Sequence, residues 1–171
     1  MSTFDHYTAI KNLFVIGTTT SAIGAGALLS TSYWHVPAYV KNTSQDSLLT
    51  QWNTLGALGK ATVPPLVLIA AGANFVNSYL THGQPQQLRF ITAGVLSLAV
   101  LPYTFVALND TNAELAAKGD SKSSGLNDLS TGTGDDVETL INRWSNRSAV
   151  RGFLLLASAV FSYDALLHLT F

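Results

Sequence analysis

The sequence predicts an all-α integral membrane protein in which four helices form a bundle. Only 11% of the 171 residues are charged and 47% are hydrophobic, whereas soluble domains average about 25% charged residues. Four segments with few or no charges are each long enough to cross a bilayer core of roughly 30 Å at about 1.5 Å per residue. The chain is predicted to be a single domain, 1–171, with spans at 13–33, 61–80, 90–108 and 149–169.

The first span, 13–33, carries small residues at a spacing that lets membrane helices pack closely, among them Gly17, Ser21 and Gly24. Its apolar run is longer than the core of a secretory signal, and no convincing cleavage site follows it, so we interpret it as a span. Trp34 and His35 follow at its end, where aromatic residues favour the membrane interface.

The first connection, residues 41–60, contains Trp52 in a stretch that we expect to form a short interfacial helix. Pro64 and Pro65 then stand near the start of span two, where helical N–H groups lack partners in any case. Asn74, inside this span, is polar in lipid and should face another helix or water.

Span three ends in a polar cluster that includes Asn109, Asp110 and Asn112. Pro102, near its exit, is expected to bend the helix. Residues 116–134 are rich in Gly, Ser, Thr and Asp, and this composition predicts a long, flexible polar loop between helices three and four.

The fourth span follows an amphipathic segment that begins at an N-cap, Asp135 or Asp136. This segment carries Trp144. Further along the same helix, Arg151 stands at the start of the lipid phase. A guanidinium there needs a carboxylate partner or must extend to the interface.

Four spans joined by loops must alternate in direction. The ends of spans one and three and the starts of spans two and four therefore lie at the same membrane face, which we call the rim. The opposite face carries Asp164 and His168, which we interpret as an interfacial pair, and should be comparatively bare. Candidate site residues on the rim are Trp34, His35, Trp52, Tyr103, Asn109, Asp110, Asn112, Trp144, Asn146 and Arg151.

Lys and Arg are concentrated in loops 41–60 and 109–148, which predicts that these loops are cytoplasmic. We expect the membrane to be the endoplasmic reticulum or another endomembrane. Three glycosylation sequons, at Asn42, Asn109 and Asn146, lie on the same side and would carry glycans if that side were lumenal.

Composition argues against several classes of function. The chain has no cysteine, which excludes disulfides, thiolate nucleophiles and thiolate metal sites. Its four His residues form no close ligand pair, and no dinucleotide-binding glycine motif occurs, so we predict neither a metal nor a cofactor. A net charge of −1 without a basic run gives no indication of nucleic-acid binding.

Four stretches carry a resemblance to a known family. They are SAIGAGALLSTSYWHVPAYV, then Gln51-Trp52 with Gly59-Lys60 and Pro64, then LAVLPYTFVALNDTNAEL, and finally Arg143-Trp144-Asn146 leading to Arg151-Gly152. In order and spacing they resemble the anthrone oxygenase family, small four-span membrane proteins common in fungal polyketide pathways. The resemblance covers most of the chain except residues 116–134.

The resemblance implies an enzyme that converts an anthrone to an anthraquinone with O2 and needs no metal or flavin. The doubly benzylic CH2 is acidic and its enolate can reduce O2, so the protein must supply a base, an oxyanion partner and a dry site. Partners are then an aromatic polyketide, O2 and lipid, with homo-oligomerisation left open. By this resemblance, Asp110 or His35 would act as the base. Arg151, Asn109 or Asn146 would stabilise the oxyanion. The residues implied to contact the substrate are Trp34, Trp52, Tyr103, Asn112 and Trp144.

Structural alternatives stay open for these residues. Asp110 and Asn112 also fit helix caps, Trp52 and Trp144 fit interfacial anchors, and Arg151 fits a partner for Asp110. The same rim fits a membrane acid–base enzyme such as a cyclase or isomerase, or a non-catalytic scaffold or transport subunit. A transporter would more often carry polar residues in the middle of several spans.

Overall fold

The computed structural model describes residues 3–123 and 136–168 and is helical throughout, apart from short connections. No strand occurs in these two ranges, so the predicted all-α class is confirmed. The elements are α1 (Thr3–Ser30), a π-helical turn (Thr31–His35), α2 (Val36–Asn42), α3 (Gln45–Leu80), α4 (Gln87–Ser123) and α5 (Val137–Leu167).

The four long helices form a ring in which each packs against two neighbours. Helix α1 packs on α3, α3 on α4, α4 on α5, and α5 closes the ring on α1. The short connections at 43–44 and 81–86 make successive helices antiparallel, which gives the up-down-up-down arrangement of a four-helix bundle.

The outside of this bundle is apolar over the length of a bilayer. Four helical segments are long and apolar enough to cross a membrane. Large apolar side chains on the outside are mostly exposed, such as Phe105 at 75% and Val106 at 82%. Contiguous exposed apolar surface of this kind fits lipid rather than water. The chain is therefore a multi-pass membrane protein.

Two predicted connections prove to be largely helical. Helix α3 starts at Gln45, so only residues 43–44 separate it from α2. Helix α4 continues to Ser123 and so includes 116–123, which were predicted as loop. Leu115 is fully buried in a cluster with residues of α3 and α5, and this packing favours helix beyond the membrane. The rest of the predicted loop, 124–134, lies outside the described residues.

Asp136 is the N-cap of α5, as one of the two sequence alternatives predicted. Its carboxylate accepts a hydrogen bond from the N–H of Val137 at 2.8 Å, which satisfies one of the free donors at the helix start. Asp135, the other alternative, lies outside the described residues.

Close helix packing depends on small residues, as the sequence predicted for Gly24. A Cβ added to Gly24 would lie 2.7 Å from the Cδ1 of Leu155 on α5. In the same part of the bundle Ser21 lies between Ser97 and Ser158, whose hydroxyls are 2.7 Å apart. Hydroxyl contacts of this kind hold membrane helices together without a hydrophobic driving force.

Polar and proline residues inside the spans are accommodated without breaking a helix. Asn74 and Asn77 are buried in the bundle, as expected for polar groups in lipid. Helix α4 runs without interruption through Pro102. The hydroxyl of Thr104 donates to the carbonyl of Val100 at 2.7 Å, which satisfies an acceptor beside the proline.

Candidate active site

A narrow apolar cleft opens at the rim between α2 and the first turns of α3 and α5. Its free volume is about 10 Å³, room for about one water molecule. On each helix the lining residues are three or four positions apart, so each set occupies one helix face. The lining residues are Val36 and Tyr39 from α2, Leu48, Gln51, Trp52 and Leu55 from α3, and Ile141 and Trp144 from α5.

A π-helical turn leads into the α2 wall and ends two residues before Pro37. A proline inside a helix lacks an N–H, and its ring crowds the carbonyl four residues back, here that of Tyr33. In the π-helical turn the N–H of Val36 donates instead to the carbonyl of Thr31, five residues back. This wider turn accommodates the ring, and π-turns of this kind occur often at functional sites.

Two side chains of α5 fasten the rim to its neighbours. The hydroxyl of Ser145 donates to the Ser32 carbonyl in the π-helical turn at 3.0 Å. The guanidinium of Arg147 donates to the Ala107 carbonyl at 2.6 Å and to the Thr111 hydroxyl at 2.7 Å, both on α4. These contacts fix α5 against the helices on either side of it.

Two buried polar atoms lie on residues that line the cleft. They are the amide oxygen Oε1 of Gln51 and the indole nitrogen Nε1 of Trp52, and neither has a hydrogen-bond partner among the described residues. The surface of the cleft itself is wholly apolar, so these two atoms do not face it.

Arg151 lies deeper in the bundle, on the same face of α5 as Trp144. The two are seven residues apart, which is two helical turns or about 10 Å. Arg151 is only 9% exposed. Its Nη2 donates to the Ser148 hydroxyl at 2.8 Å. Its Nε has no hydrogen-bond partner among the described residues. Tyr103 is close enough to affect its charge electrostatically.

The sequence alternative in which Arg151 pairs with Asp110 is wrong. No carboxylate forms an ion pair with Arg151 within the described ranges, and Asp110 is exposed on α4. Nor do Asp110 and Asn112 cap a helix end, because α4 continues to Ser123. The rotation of α4 about its own axis, which composition does not reveal, leaves Asp110 on the exposed side of the helix.

The structure brings some of the predicted site residues together. Trp52 and Trp144 both line the cleft, and Tyr103 packs against the same buried cluster. His35 is exposed in the π-helical turn, with its ring centroid 6.2 Å from that of Tyr39, a cleft residue. The remaining predicted residues do not line the cleft: Trp34, Asn109, Asp110 and Asn146 are exposed, and Asn112 is half-buried.

Sequence reasoning missed Gln51 and Tyr39 as residues of the site. A signal for Gln51 was present, because Leu48, Gln51, Trp52 and Leu55 repeat at the spacing of one helix face. Tyr39 carries no comparable signal, because its position depends on the π-helical turn.

The chemistry available near the cleft is therefore aromatic stacking, a buried cation and an imidazole. Within residues 3–123 and 136–168 no group of three or more His, Cys, Asp or Glu residues is placed to hold a metal ion. The cation is Arg151 and the imidazole is that of His35.

The opposite membrane face is less bare than predicted. The predicted pair of Asp164 and His168 is present at 3.4 Å, and Arg89 joins it at 3.0 Å from the carboxylate. The side chain of Gln86 donates to the His168 carbonyl. These contacts tie the end of α5 to the start of α4 and the connection before it.

Comparison with known proteins decides the family. The sequence profile of the family described as Anthrone oxygenase matches residues 52–161, well over half of the chain. The chain belongs to the anthrone oxygenase family. The matched range starts at Trp52 and includes Trp144 and Arg151, so it contains half of the residues that line the cleft.

Individual relatives agree with this family membership. The chain is 29% identical to an anthrone oxygenase of Claviceps purpurea over 92% of its own length and 90% of the relative. It is 26% identical to anthrone oxygenase dmxR16 of Cryptosporiopsis sp., over 86% and 81%. Identity to a noranthrone monooxygenase of Aspergillus flavus is 24%, over 82% and 67%. No solved structure matches the chain. The family and these names make the protein an oxygenase, and hence an oxidoreductase.

Proposed function

We propose that the protein oxidises an anthrone-type aromatic polyketide to the corresponding anthraquinone with O2, using neither a metal nor an organic cofactor. The observation that carries this proposal is the apolar cleft bearing Tyr39, Trp52 and Trp144 in a member of the anthrone oxygenase family. Relatives named for anthrone and noranthrone support this class of substrate.

The walls of the cleft are apolar and aromatic. Its free space of about 10 Å³ is room for about one water molecule, so the walls must move apart to admit a ring system. Aromatic side chains interact with ring systems by offset stacking or edge contacts. Because the cleft lies at the rim of a membrane bundle, it is close to the lipid in which an apolar substrate would dissolve.

The reaction balances without an added oxidant. A base removes one proton from the CH2 group, and the resulting enolate transfers one electron to O2. The carbon radical and superoxide combine, which forms a C–O bond and gives a hydroperoxide once protonated. Loss of the second C–H proton with cleavage of the O–O bond then yields the ketone. The CH2 group and O2 thus become C=O and H2O.

We assign the base to His35, with Asp110 as the alternative. A general base must come within hydrogen-bond reach of the proton it removes, and free-enzyme contacts often tighten only when substrate binds. The His35 ring lies beside Tyr39 at the edge of the cleft. Asp110 lies on α4, which contributes no residue to the lining.

Arg151 supplies the positive charge for the enolate and for superoxide. Its guanidinium is buried, and among the described residues it has no carboxylate partner and its Nε no hydrogen bond. A preorganised donor in a water-poor site stabilises developing negative charge far more than the same donor in water. Tyr103, which packs against the cleft cluster and interacts with Arg151, connects the two regions.

The membrane is proposed to be the endoplasmic reticulum or another endomembrane, with the rim on the cytoplasmic side. Lys and Arg are concentrated on the rim side of the chain, as the distribution of positive charge in membrane proteins favours. In this orientation the cleft faces the compartment that contains soluble biosynthetic enzymes.

Oxygen uptake by metal-stripped protein with an anthrone tests the proposal. We expect one O2 consumed per quinone formed, above the rate without protein. His35→Gln should lower kcat/KM by about 100-fold, the usual contribution of a general base, while Asp110→Asn retains activity. The opposite result would assign the base to Asp110. A requirement for iron, copper or flavin, or conversion of the anthrone without O2 uptake, would contradict the proposal.

A further inference from the structure

Helix α2 covers the cleft, and its side chains are held there by apolar packing. Val36 is 2% exposed and belongs to the same buried cluster as the cleft residues of α3 and α5, with Tyr39 and Val40 packed beside it. Among the described residues, the side chains of α2 make no hydrogen bond or ion pair with another helix, and Asn42 donates to the carbonyl of Ala38 within α2. An outward movement of α2 therefore exposes apolar surface without breaking a side-chain hydrogen bond between helices.

The chain is tied to α5 on both sides of α2. Before α2, the hydroxyl of Ser145 donates to the Ser32 carbonyl at 3.0 Å. After α2, the amide of Gln45 donates to the Asp136 carboxylate at 3.0 Å. These two ties are about 13 Å apart along α5, whereas the segment 33–44 between them measures roughly 20 Å along the chain. The segment 33–44, which we call the strap, is therefore long enough to move outward while both ties hold.

The backbone changes conformation at both ends of α2. Before it lies the π-helical turn, in which a hydrogen bond spans five residues. After it, Thr43 and Ser44 are extended, with φ/ψ angles of −134°/143° and −65°/155°. Hinges in proteins are a few residues at the ends of elements that absorb changes of φ and ψ. These two junctions allow α2 to move as a unit.

The outer face of the strap fits the membrane interface. Tyr33 and Trp34 are 57% and 74% exposed, and such aromatic residues favour the headgroup level of a bilayer. Lys41 is exposed on α2, where its stem can lie along apolar surface while its ammonium group meets headgroups. An outward movement of the strap therefore opens the cleft toward the layer in which an apolar substrate dissolves.

We infer that the strap moves away from the cleft to admit a flat aromatic ligand from the membrane interface, an inference that rests on the proposed function. The closed cleft has room for about one water molecule, so a wall must move before a ring system binds. Its other walls, α3 and α5, are long helices within the packed ring, and Arg147 also ties α5 to α4. The strap is the wall that moves most easily, and its open form is a minor state that the ligand stabilises.

The absence of cysteine from the chain allows the movement to be measured with single introduced thiols. Leu48 and Leu49 are 4% and 5% exposed in the same buried cluster, but Leu48 lines the cleft and Leu49 does not. The full chain with Leu48→Cys or Leu49→Cys, in lipid nanodiscs, is treated with N-ethylmaleimide, and labelling is followed by mass spectrometry. We expect Leu48→Cys to react about tenfold faster, because strap opening exposes it while a general loosening of α3 exposes both thiols alike.

Two substitutions of Ser44 change the hinge in opposite directions. Ser44→Pro fits the observed φ of −65° and fixes it, and the extended Thr43 is already compatible with a following proline. It should slow the labelling of Leu48→Cys about threefold, the factor by which a compatible proline shifts a conformational equilibrium. Ser44→Gly frees the same backbone and should speed this labelling. Both remove the contact of the Ser44 hydroxyl with Ser47, and neither should alter the labelling of Leu49→Cys.

Ligand entry is measured with anthraquinone, which does not react further. A ring system in the opened cleft covers Leu48, so anthraquinone should slow the labelling of Leu48→Cys and leave that of Leu49→Cys unchanged. In the otherwise unchanged chain, Ser44→Pro should lower kcat/KM for oxygen uptake with an anthrone about threefold, because a smaller fraction of the protein is open to the substrate.

The inference is overturned if the two thiols react at equal rates, if Ser44→Pro leaves the labelling of Leu48→Cys unchanged, or if anthraquinone does not protect this thiol. Thermal unfolding in the same nanodiscs shows whether each variant folds, and Ser44→Gly still tests the hinge if Ser44→Pro does not. Oxygen uptake by the wild-type chain reports separately on the proposed function. Protection by anthraquinone without any oxygen uptake would reject the oxygenase reaction while supporting the strap as the entrance.

Discussion

Arg147 and Arg151 are four residues apart on α5, yet their surroundings differ. Arg147 donates to the carbonyl of Ala107 and the hydroxyl of Thr111, and so joins α5 to α4. In the part of the chain that the structure describes, Arg151 has one hydroxyl partner, an unpaired Nε and no carboxylate partner. A buried cation with few partners does little for stability, so the two residues should affect different measurements.

We predict that Arg151→Met lowers kcat by about 100-fold, the effect of removing one preorganised donor to an oxyanion, without lowering thermal stability. Arg151→Lys should recover part of the lost activity. Arg147→Met should instead destabilise the fold by about 2 kcal/mol, because it removes two hydrogen bonds from a charged group, and change kcat little. Initial rates of oxygen uptake and thermal unfolding of both variants give the comparison. Equal losses of kcat would argue against a catalytic role for Arg151.

At the level of secondary structure, the π-helical turn is the element on which the cleft depends. It ends two residues before Pro37, whose missing N–H and ring disfavour the regular hydrogen-bond pattern of an α-helix. It sets the positions of Val36 and Tyr39, which form one wall of the cleft. A regular helix in its place would rotate these side chains by roughly one residue, or about 100°.

Replacing Pro37 by Ala should therefore reduce activity without reducing stability. Alanine restores the missing donor and is up to about 3 kcal/mol more favourable than proline inside a helix, so the π-helical turn is expected to relax toward an α-helix. We expect kcat/KM to fall about tenfold or more, as misplaced binding groups cause in enzymes. Pro65→Ala, an equivalent change on the exposed side of α3, is the control. Equal activity of both variants would show that the turn is dispensable.

For the molecule as a whole, the open question is which side of the membrane the rim faces. The rim side carries the three sequons at Asn42, Asn109 and Asn146. If it is cytoplasmic, as the distribution of Lys and Arg predicts, none of them meets the glycosylation machinery. We therefore predict that endoglycosidase treatment leaves the electrophoretic mobility of the protein expressed in a eukaryotic cell unchanged.

A sequon placed in a long N-terminal extension provides the positive control, because the N-terminus lies on the other side of the membrane in this orientation. That variant should carry a glycan and shift on treatment. A shift of the wild-type chain that disappears when the three sequons are removed would reverse the orientation and place the cleft on the lumenal side.

Much of the fold could be predicted from the sequence. The four spans, the N-cap at Asp136 and the close packing at Gly24 all follow from local features: run length, a capping carboxylate and a small side chain. For the site, the two tryptophans Trp52 and Trp144 were also predicted. Their position follows from segment order, since the ends of antiparallel spans must share a membrane face.

What the sequence alone determined is thus the membrane class, the antiparallel order of the helices, the face that carries the aromatic residues and the resemblance to the family. These features depend on the lengths and the order of the apolar segments, which the sequence gives directly. Tertiary structure decided the partners: Ser148 rather than Asp110 for Arg151, helix rather than loop at 116–123, and Gln51 and Tyr39 in the cleft. Such partners depend on the rotation of each helix about its axis, which is set by packing against neighbours distant in sequence.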